Sequence, residues 1–216
     1  MKLLEIFQSF NFRTDTPEQV AQKCALIAAH PEFKAQDIPQ GIHYLYTNAL
    51  TDALVKDNIE GFVCLCGLDT PYLKAHFLYH WDVVAALKKN PNPVAMAAFI
   101  DMMPQCSAEM RQKFAESAIS NKFNTLVKSF MVSVPGLDHR ALLDKAVSHI
   151  NQTVAQWIMR QHPETVLAVD VYAAGSRADR RWRKWLEEHQ VWEAQQQRKR
   201  LTATVPAAGA AVGRKM

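Results

Sequence analysis

The sequence predicts an all-α protein of stacked helical hairpins, followed by a long C-terminal helix. Glycine is scarce, at seven of 216 residues, whereas alanine, leucine, glutamine and lysine are abundant and favour helix. Short apolar segments alternate with breaks that contain Pro, Asn or Gly. Helices of this length are marginal alone, so their stability must come from stacking on neighbours.

The helical segments follow one another along the whole chain. Thr16 is the predicted N-cap of the first long segment, with Pro17 at its first position. Asp138, His139 and Arg140 form a charged turn that caps the helix beginning near Ala141. The stretch 166–175 combines valines with alanines, and we expect helix there too. The other predicted segments are 20–29, 42–58, 59–68, 70–79, 81–90, 94–103, 107–122, 124–134, 137–151 and 152–161.

Residues 70–90, TPYLKAHFLYHWDVVAALKKN, resemble one ankyrin repeat, whose pattern is T-P-L-H-x-A-A-x-x-G-H-x-x-V-V-x-x-L-L. The matching residues are Thr70, Pro71, Ala75, His80, Val83, Val84 and Leu87. The departures are Tyr72, Leu73, His76, Tyr79 and Lys88, where the family has Leu, His, Ala, Gly and Leu. The resemblance implies that the valines and Leu87 line the second helix of a repeat.

Three other segments keep a degenerate form of this pattern, around Ala53, Ala118 and Ala146. Anchored as Thr70 is, they begin at residues 48, 113 and 141, at intervals of 22, 43 and 28 residues. Ankyrin repeats recur about every 33 residues, so the predicted stack is irregular, with an extra short helix at 94–103. An irregular α-solenoid and a globular helical bundle are the alternative architectures.

Positive charge is concentrated at the C-terminus. Residues 176–216 carry ten Lys or Arg and four Asp or Glu, and residues 1–175 carry 15 and 17. We therefore predict a helical repeat domain over 1–175, a basic aromatic helix over 176–201 and a disordered tail over 202–216.

The predicted location is the cytoplasm. The four sparse cysteines suit a reducing compartment, and the sequence has neither a signal-like start nor an apolar stretch long enough to cross a membrane. Irregular repeats also occur in proteins that bacteria deliver into host cells, and nothing in the sequence tests this.

Two cysteines and two histidines, Cys64, Cys66, His76 and His80, raise the question of a zinc site. The histidines are four residues apart and would share a helix face. On a helix the cysteines would point about 200° apart and could not chelate one ion together. We expect packing roles for Cys64, Cys66 and His80, and predict no metal and no cofactor. His76 is the one residue of this set that the repeat does not explain.

The C-terminal helix has the most distinctive chemistry. Its aromatic stripe consists of Trp182, Trp185, Leu186, His189 and Trp192, and Ser176 is its predicted N-cap. Its basic patch comprises Arg177, Arg180, Arg181, Trp182, Arg183, Lys184 and Trp185. This helix either closes the end of the stack or binds nucleic acid, with arginines on phosphates and tryptophans on bases. A membrane surface or an acidic protein is a further alternative.

The motifs of phosphate loops, nucleophile elbows, dinucleotide folds and HExxH metalloproteases are absent from the sequence. The expected function is therefore non-catalytic binding of another protein, which the ankyrin resemblance implies. The same resemblance places partner-binding positions at Lys74, Phe77 and Leu78. Nucleic-acid association through the basic helix and an enzyme with a non-local active site are the alternatives.

Overall fold

The computed structural model describes residues 2–34, 40–69, 80–167 and 175–204, and within these ranges the protein is all-α, which confirms the predicted fold class. The helices are α1 (Leu3–Gln8), α2 (Pro17–Ala29), α3 (Gln40–Val55), α4 (Ile59–Cys66), α5 (His80–Lys89), α6 (Pro93–Asp101), α7 (Ala108–Ser120), α8 (Asn124–Ser133), α9 (His139–Ser148), α10 (Gln152–Gln161) and α11 (Arg177–Thr204). Short 3₁₀ helices span Pro31–Lys34, Met103–Gln105 and Pro163–Leu167.

The chain divides into two compact units, Met1–Val154 and Ala155–Met216. In the first unit the helices form two layers. α1, α3, α5, α7 and α9 pack in sequence as the first layer, and α2, α4, α6 and α8 pack in sequence as the second. Consecutive helices among α1–α9, as far as the structure describes them, thus alternate between layers, as in a stack of helical hairpins.

Three inter-helix turns in this stack have the same geometry. In each, a fully buried alanine near the end of the first helix accepts a 2.8 Å hydrogen bond from the backbone N–H five residues later. The accepting carbonyls belong to Ala53, Ala118 and Ala146, and the donors are Asn58, Phe123 and Asn151. The residue before each donor has a positive φ: Asp57 at 58°, Lys122 at 55° and Ile150 at 55°. This left-handed residue ends the helix and reverses the chain.

Asparagine side chains connect these turns to the preceding hairpin. Asn90 Nδ2 donates to the carbonyl of Leu54, and Asn151 Nδ2 donates to the carbonyl of Ile119, the residue after a turn alanine in each case. Asn58 Nδ2 donates to the carbonyl of Phe12. We call Asn58, Asn90 and Asn151 the asparagine ladder. It adds a side-chain donor to each of these carbonyls, and those of Leu54 and Ile119 also accept the backbone N–H of Asp57 and Lys122.

The packing corrects the predicted repeat register. α5 carries Val83, Val84 and Leu87, which were expected on a second helix, but it packs against α3 and α7 in the first layer. The helix at 93–101, expected to be an extra element, lies in the second layer and packs against α4 and α8. The prediction failed because a stripe of buried residues at positions i, i+1 and i+4 fits either layer.

In the corrected register, a buried alanine followed by a buried apolar residue marks each of four first-layer helices. The pairs are Ala53-Leu54, Ala86-Leu87, Ala118-Ile119 and Ala146-Val147. Their intervals are 33, 32 and 28 residues, much more even than the predicted 22, 43 and 28.

In the second unit, α11 packs against the end of α10. Gln156 Nε2 donates to Glu188 at 2.6 Å, and the Arg160 guanidinium lies 4.7 Å from the centre of the Trp192 ring. The predicted Ser176 cap is present, because Asp179 N donates to its Oγ. These contacts lie within the second unit, and the predicted domain boundary at residue 175 stays a prediction.

The first testable prediction concerns Ile150, a β-branched residue with a positive φ that is 58% exposed. Ile150→Gly should raise the free energy of unfolding by about 1 kcal/mol, because glycine adopts the left-handed region without strain. Urea unfolding measures the change. The control Ser148→Gly, two residues earlier within α9, should lower the free energy of unfolding, and equal effects of the two variants would contradict the proposed strain.

The second prediction concerns the ladder. Asn151 is 4% exposed and its amide donates to Ile119 and Asn124. Asn151→Ala should lower the free energy of unfolding by about 2 kcal/mol, because the hydrogen bonds of the buried amide to Ile119 and Asn124 are lost. Gln152→Ala changes the adjacent exposed residue and serves as the control. If both variants unfold at the same urea concentration, the ladder does not stabilise the stack.

Candidate functional site

The partner-binding residues predicted from the sequence lie outside the described residues. Lys74, Phe77 and Leu78 fall in 70–79, as do Thr70, Pro71 and His76. Other candidate binding surfaces lie on the exposed sides of the two layers in the first unit.

On the first layer, two large aromatic side chains are exposed near the beginnings of adjacent helices. Tyr44 of α3 is 47% exposed and Trp81 of α5 is 53% exposed. Tyr44 also lines an apolar cavity of about 420 Å³ with Leu4 and Leu45. Exposed aromatic residues of this size are typical of the centres of protein interfaces.

The neighbouring first-layer helices expose charged side chains instead. Lys113 pairs with Glu109 at 2.6 Å on α7, and Arg140 pairs with Asp144 at 3.3 Å on α9. The first-layer face therefore changes along the stack from aromatic at α3 and α5 to charged at α7 and α9. Trp81 was not predicted as a binding residue, because the predicted register placed it on a second helix. The packing of α5 beside α3 places it on the first-layer face.

The second layer contains an apolar groove at the beginnings of α2, α4 and α6. Its floor consists of Ala21, Ile59, Val63, Cys64 and Val94, and its volume is about 500 Å³. Glu18 of α2 and Glu60 of α4 also line it. We call this the acid-rimmed groove. It was not predicted, because its residues come from three separate segments.

The cysteines have the environment of core residues rather than of reactive thiols. Cys24, Cys66 and Cys106 are buried, while Cys64 is partly exposed in the groove. Burial raises the pKa of Cys24 to about 12, with a smaller contribution from Cys64. Burial and then the nearby Glu60 raise the pKa of Cys64. Thiols of raised pKa are poor nucleophiles and poor metal ligands at neutral pH.

These cysteines surround Tyr46. Its hydroxyl donates to the carbonyl of Leu65 at 2.8 Å, and burial raises its pKa well above the usual value, helped by the thiols of Cys66, Cys106 and Cys24. On α4 itself Cys64 and Cys66 occupy different surroundings, as the helical prediction requires. The side chains of His76 and His80 lie outside the described positions, so the histidine half of the zinc question stays a prediction.

A polar cleft of about 380 Å³ lies where the α1–α2 connection meets the α3–α4 turn. Its lining includes the carboxylates of Asp15, Asp57 and Glu60. Two of these have structural partners: Asp15 pairs with Lys23 at 2.6 Å, and Asp57 accepts from Asn90 Nδ2 at 2.7 Å. These two contacts hold the turns in place, and they account for Asp15 and Asp57 without catalysis.

The basic patch on α11 separates into buried aromatic and exposed cationic residues. Trp182 and Trp185 are 1% and 4% exposed, whereas Arg177, Arg180 and Lys184 are exposed. Arg183 pairs with Asp179 at 3.0 Å, and Arg181 lies over the Trp185 ring at 6.0 Å. Because these two tryptophans are buried, they are not exposed for stacking on bases. The exposed cations of the patch could still contact phosphates.

His189 is a buried titratable group in the second unit, 2% exposed. Its ring stacks on Trp192, its Nε2 lies 3.5 Å from Glu193, and its Nδ1 has no hydrogen-bond partner among the described residues. Burial lowers its pKa; Arg160 of α10 lowers it further, and Glu193 opposes the shift. The folded protein therefore favours the neutral imidazole.

Comparisons with models of protein families, with curated proteins and with solved structures found no match. Among the helices of the described residues, none combines the length and the hydrophobicity that a membrane-spanning helix requires.

The third prediction follows from His189. Because its folded pKa is lowered, the unfolded chain binds the proton more readily, and stability rises with pH. This contribution is present above the ordinary histidine pKa of about 6.5 and is lost as the pH falls through the folded pKa. His189→Phe should therefore flatten the loss of unfolding free energy between about pH 7.5 and 5. Urea titrations over this range measure it, with His149→Phe as the control; parallel profiles for wild type and His189→Phe would contradict the assignment.

Proposed function

We propose that the protein is a non-catalytic protein–protein interaction module of ankyrin-like helical repeats that acts in the cytoplasm. The observation that carries this proposal is the pair of aromatic residues, Tyr44 and Trp81, exposed on adjacent first-layer helices of a hairpin stack. Stacked hairpins present extended surfaces to partners because each repeat adds an exposed strip beside the last.

The repeated turn supports the ankyrin-like part of the proposal. In the ankyrin pattern a glycine follows the first of the paired alanines by four residues, and it ends the first helix. Asp57, Lys122 and Ile150 occupy this position relative to Ala53, Ala118 and Ala146, and all three have a positive φ. With Ala86 of α5 included, the buried alanines of the first layer are 33, 32 and 28 residues apart, close to the family's period of about 33.

Asp15, Asp57 and Tyr46 have structural partners, and burial raises the pKa of Cys24 and Cys64, which supports a non-catalytic role. Four free cysteines in the described chain also suit a reducing compartment such as the cytoplasm. A charge-driven association with nucleic acid is the second candidate, favoured by the exposed cations at Arg177, Arg180 and Lys184.

The fourth prediction tests the first-layer face. Tyr44→Ala combined with Trp81→Ala should reduce recovery of a protein partner about tenfold or more, because exposed aromatics often dominate binding energy. Affinity capture from nuclease-treated lysate, quantified by mass spectrometry, measures this. Circular dichroism of the double variant verifies that folding is retained.

Val132→Ala is the matched control, since Val132 is 78% exposed but lies on α8 in the second layer. It should leave capture unchanged. Capture that disappears on nuclease treatment and falls steeply with salt would contradict the proposal and favour the nucleic-acid candidate.

A further inference from the structure

The acid-rimmed groove and the distal end of α11 are apolar surfaces outside the first-layer face. The groove's floor is almost entirely apolar, and Val94, one of its residues, is 60% exposed. Neither Glu18 nor Glu60 forms an ion pair with any residue that the structure describes. An apolar lining beside two carboxylates that form no ion pair among the described residues matches a helix with apolar side chains and flanking cations.

The distal end of α11, residues 191–202, has this composition. Val191, Ala194, Arg198 and Leu201 follow helical spacing and share one side of the helix. Val191 is 59% exposed and Leu201 is 68% exposed. Arg198, Lys199 and Arg200 place three exposed cations beside them.

Two contacts with α10 come from the earlier part of α11. The Glu188 contact with Gln156 and the Trp192 contact with Arg160 precede Arg198. At 28 residues α11 is about 42 Å long, so its distal end extends beyond these contacts by more than two turns.

We propose that the distal end of α11 in one copy of the protein docks into the acid-rimmed groove of a second copy. Val191 and Leu201 cover the groove's apolar floor, and Arg198 and its neighbours pair with Glu18 and Glu60. The contact joins two different surfaces, so it produces either a reciprocal dimer or a head-to-tail chain. It is independent of the first-layer face and leaves Tyr44 and Trp81 available to a different partner.

The fifth prediction is that the full-length chain self-associates. Sedimentation velocity over about a hundredfold concentration range should show an average mass rising above the 24.5 kDa of the monomer. The rise should be smaller at high salt, because the rim contacts are exposed ion pairs. Leu201→Ser should raise the dissociation constant about tenfold.

A charge exchange makes the test specific. The groove variant Glu18→Arg/Glu60→Arg and the tail variant Arg198→Glu/Arg200→Glu should each sediment as a monomer, because like charges then face each other. A mixture of the two variants should associate again, since the reversed groove of one fits the reversed tail of the other. Circular dichroism verifies that both variants are folded, and the neutral pair Glu18→Gln/Glu60→Gln provides a milder groove variant.

Matched controls carry the same charge changes elsewhere. Glu109→Arg/Glu187→Arg and Arg177→Glu/Lys184→Glu should self-associate as the wild type does. The proposal is wrong if the wild type remains monomeric at every concentration, which would leave the groove to another protein. It is also wrong if the variants still associate, or if mixing them does not restore association.

Discussion

The first unit depends on one backbone hydrogen bond that recurs in three turns: an alanine carbonyl accepts from the N–H five residues later, at 2.8 Å. This bond requires a left-handed residue between acceptor and donor, and it fixes the direction in which the next helix leaves. A buried alanine at the same point allows close packing at the turn, because its side chain is a single methyl group. After α3 and α7, this turn takes the chain from the first layer to the second. The asparagine ladder then joins one hairpin to the next through the carbonyls of Phe12, Leu54 and Ile119.

The two layers give the unit two chemically different surfaces. The first layer exposes aromatic residues on α3 and α5 and charged residues on α7 and α9, whereas the second layer forms an apolar groove rimmed by carboxylates. This separation follows from the hairpin stack, because every helix buries one side against the opposite layer and leaves the other exposed. The proposed partner face and the proposed self-association site therefore occupy different layers and do not compete for the same residues.

Residue types that often perform chemistry have structural roles here. Tyr46 hydrogen-bonds to a backbone carbonyl among buried thiols, Asp57 accepts from a ladder asparagine, and Asp15 pairs with Lys23. In the second unit, Trp182 and Trp185 are buried in the fold rather than presented to a ligand. The proposed binding function depends on shape and exposed apolar area, which fits a stack whose polar groups are occupied with holding its turns.

Local patterns in the sequence determined the all-α class, the Thr16, Asp138 and Ser176 caps, the three turn alanines and the aromatic stripe of α11, because each of these depends on neighbours within a few residues. The layer of the helix at 80–89 was predicted wrongly, since Val83, Val84 and Leu87 form a stripe that serves in either layer. The candidate surfaces were harder to predict from the sequence. Trp81 became a candidate only when α5 was placed beside α3. The groove combines residues from three segments that are thirty or more positions apart. The sequence by itself determined which residues are helical and which sides of the helices are apolar. Only the tertiary structure decided which sides are covered and which stay exposed, because burial depends on which helices pack together.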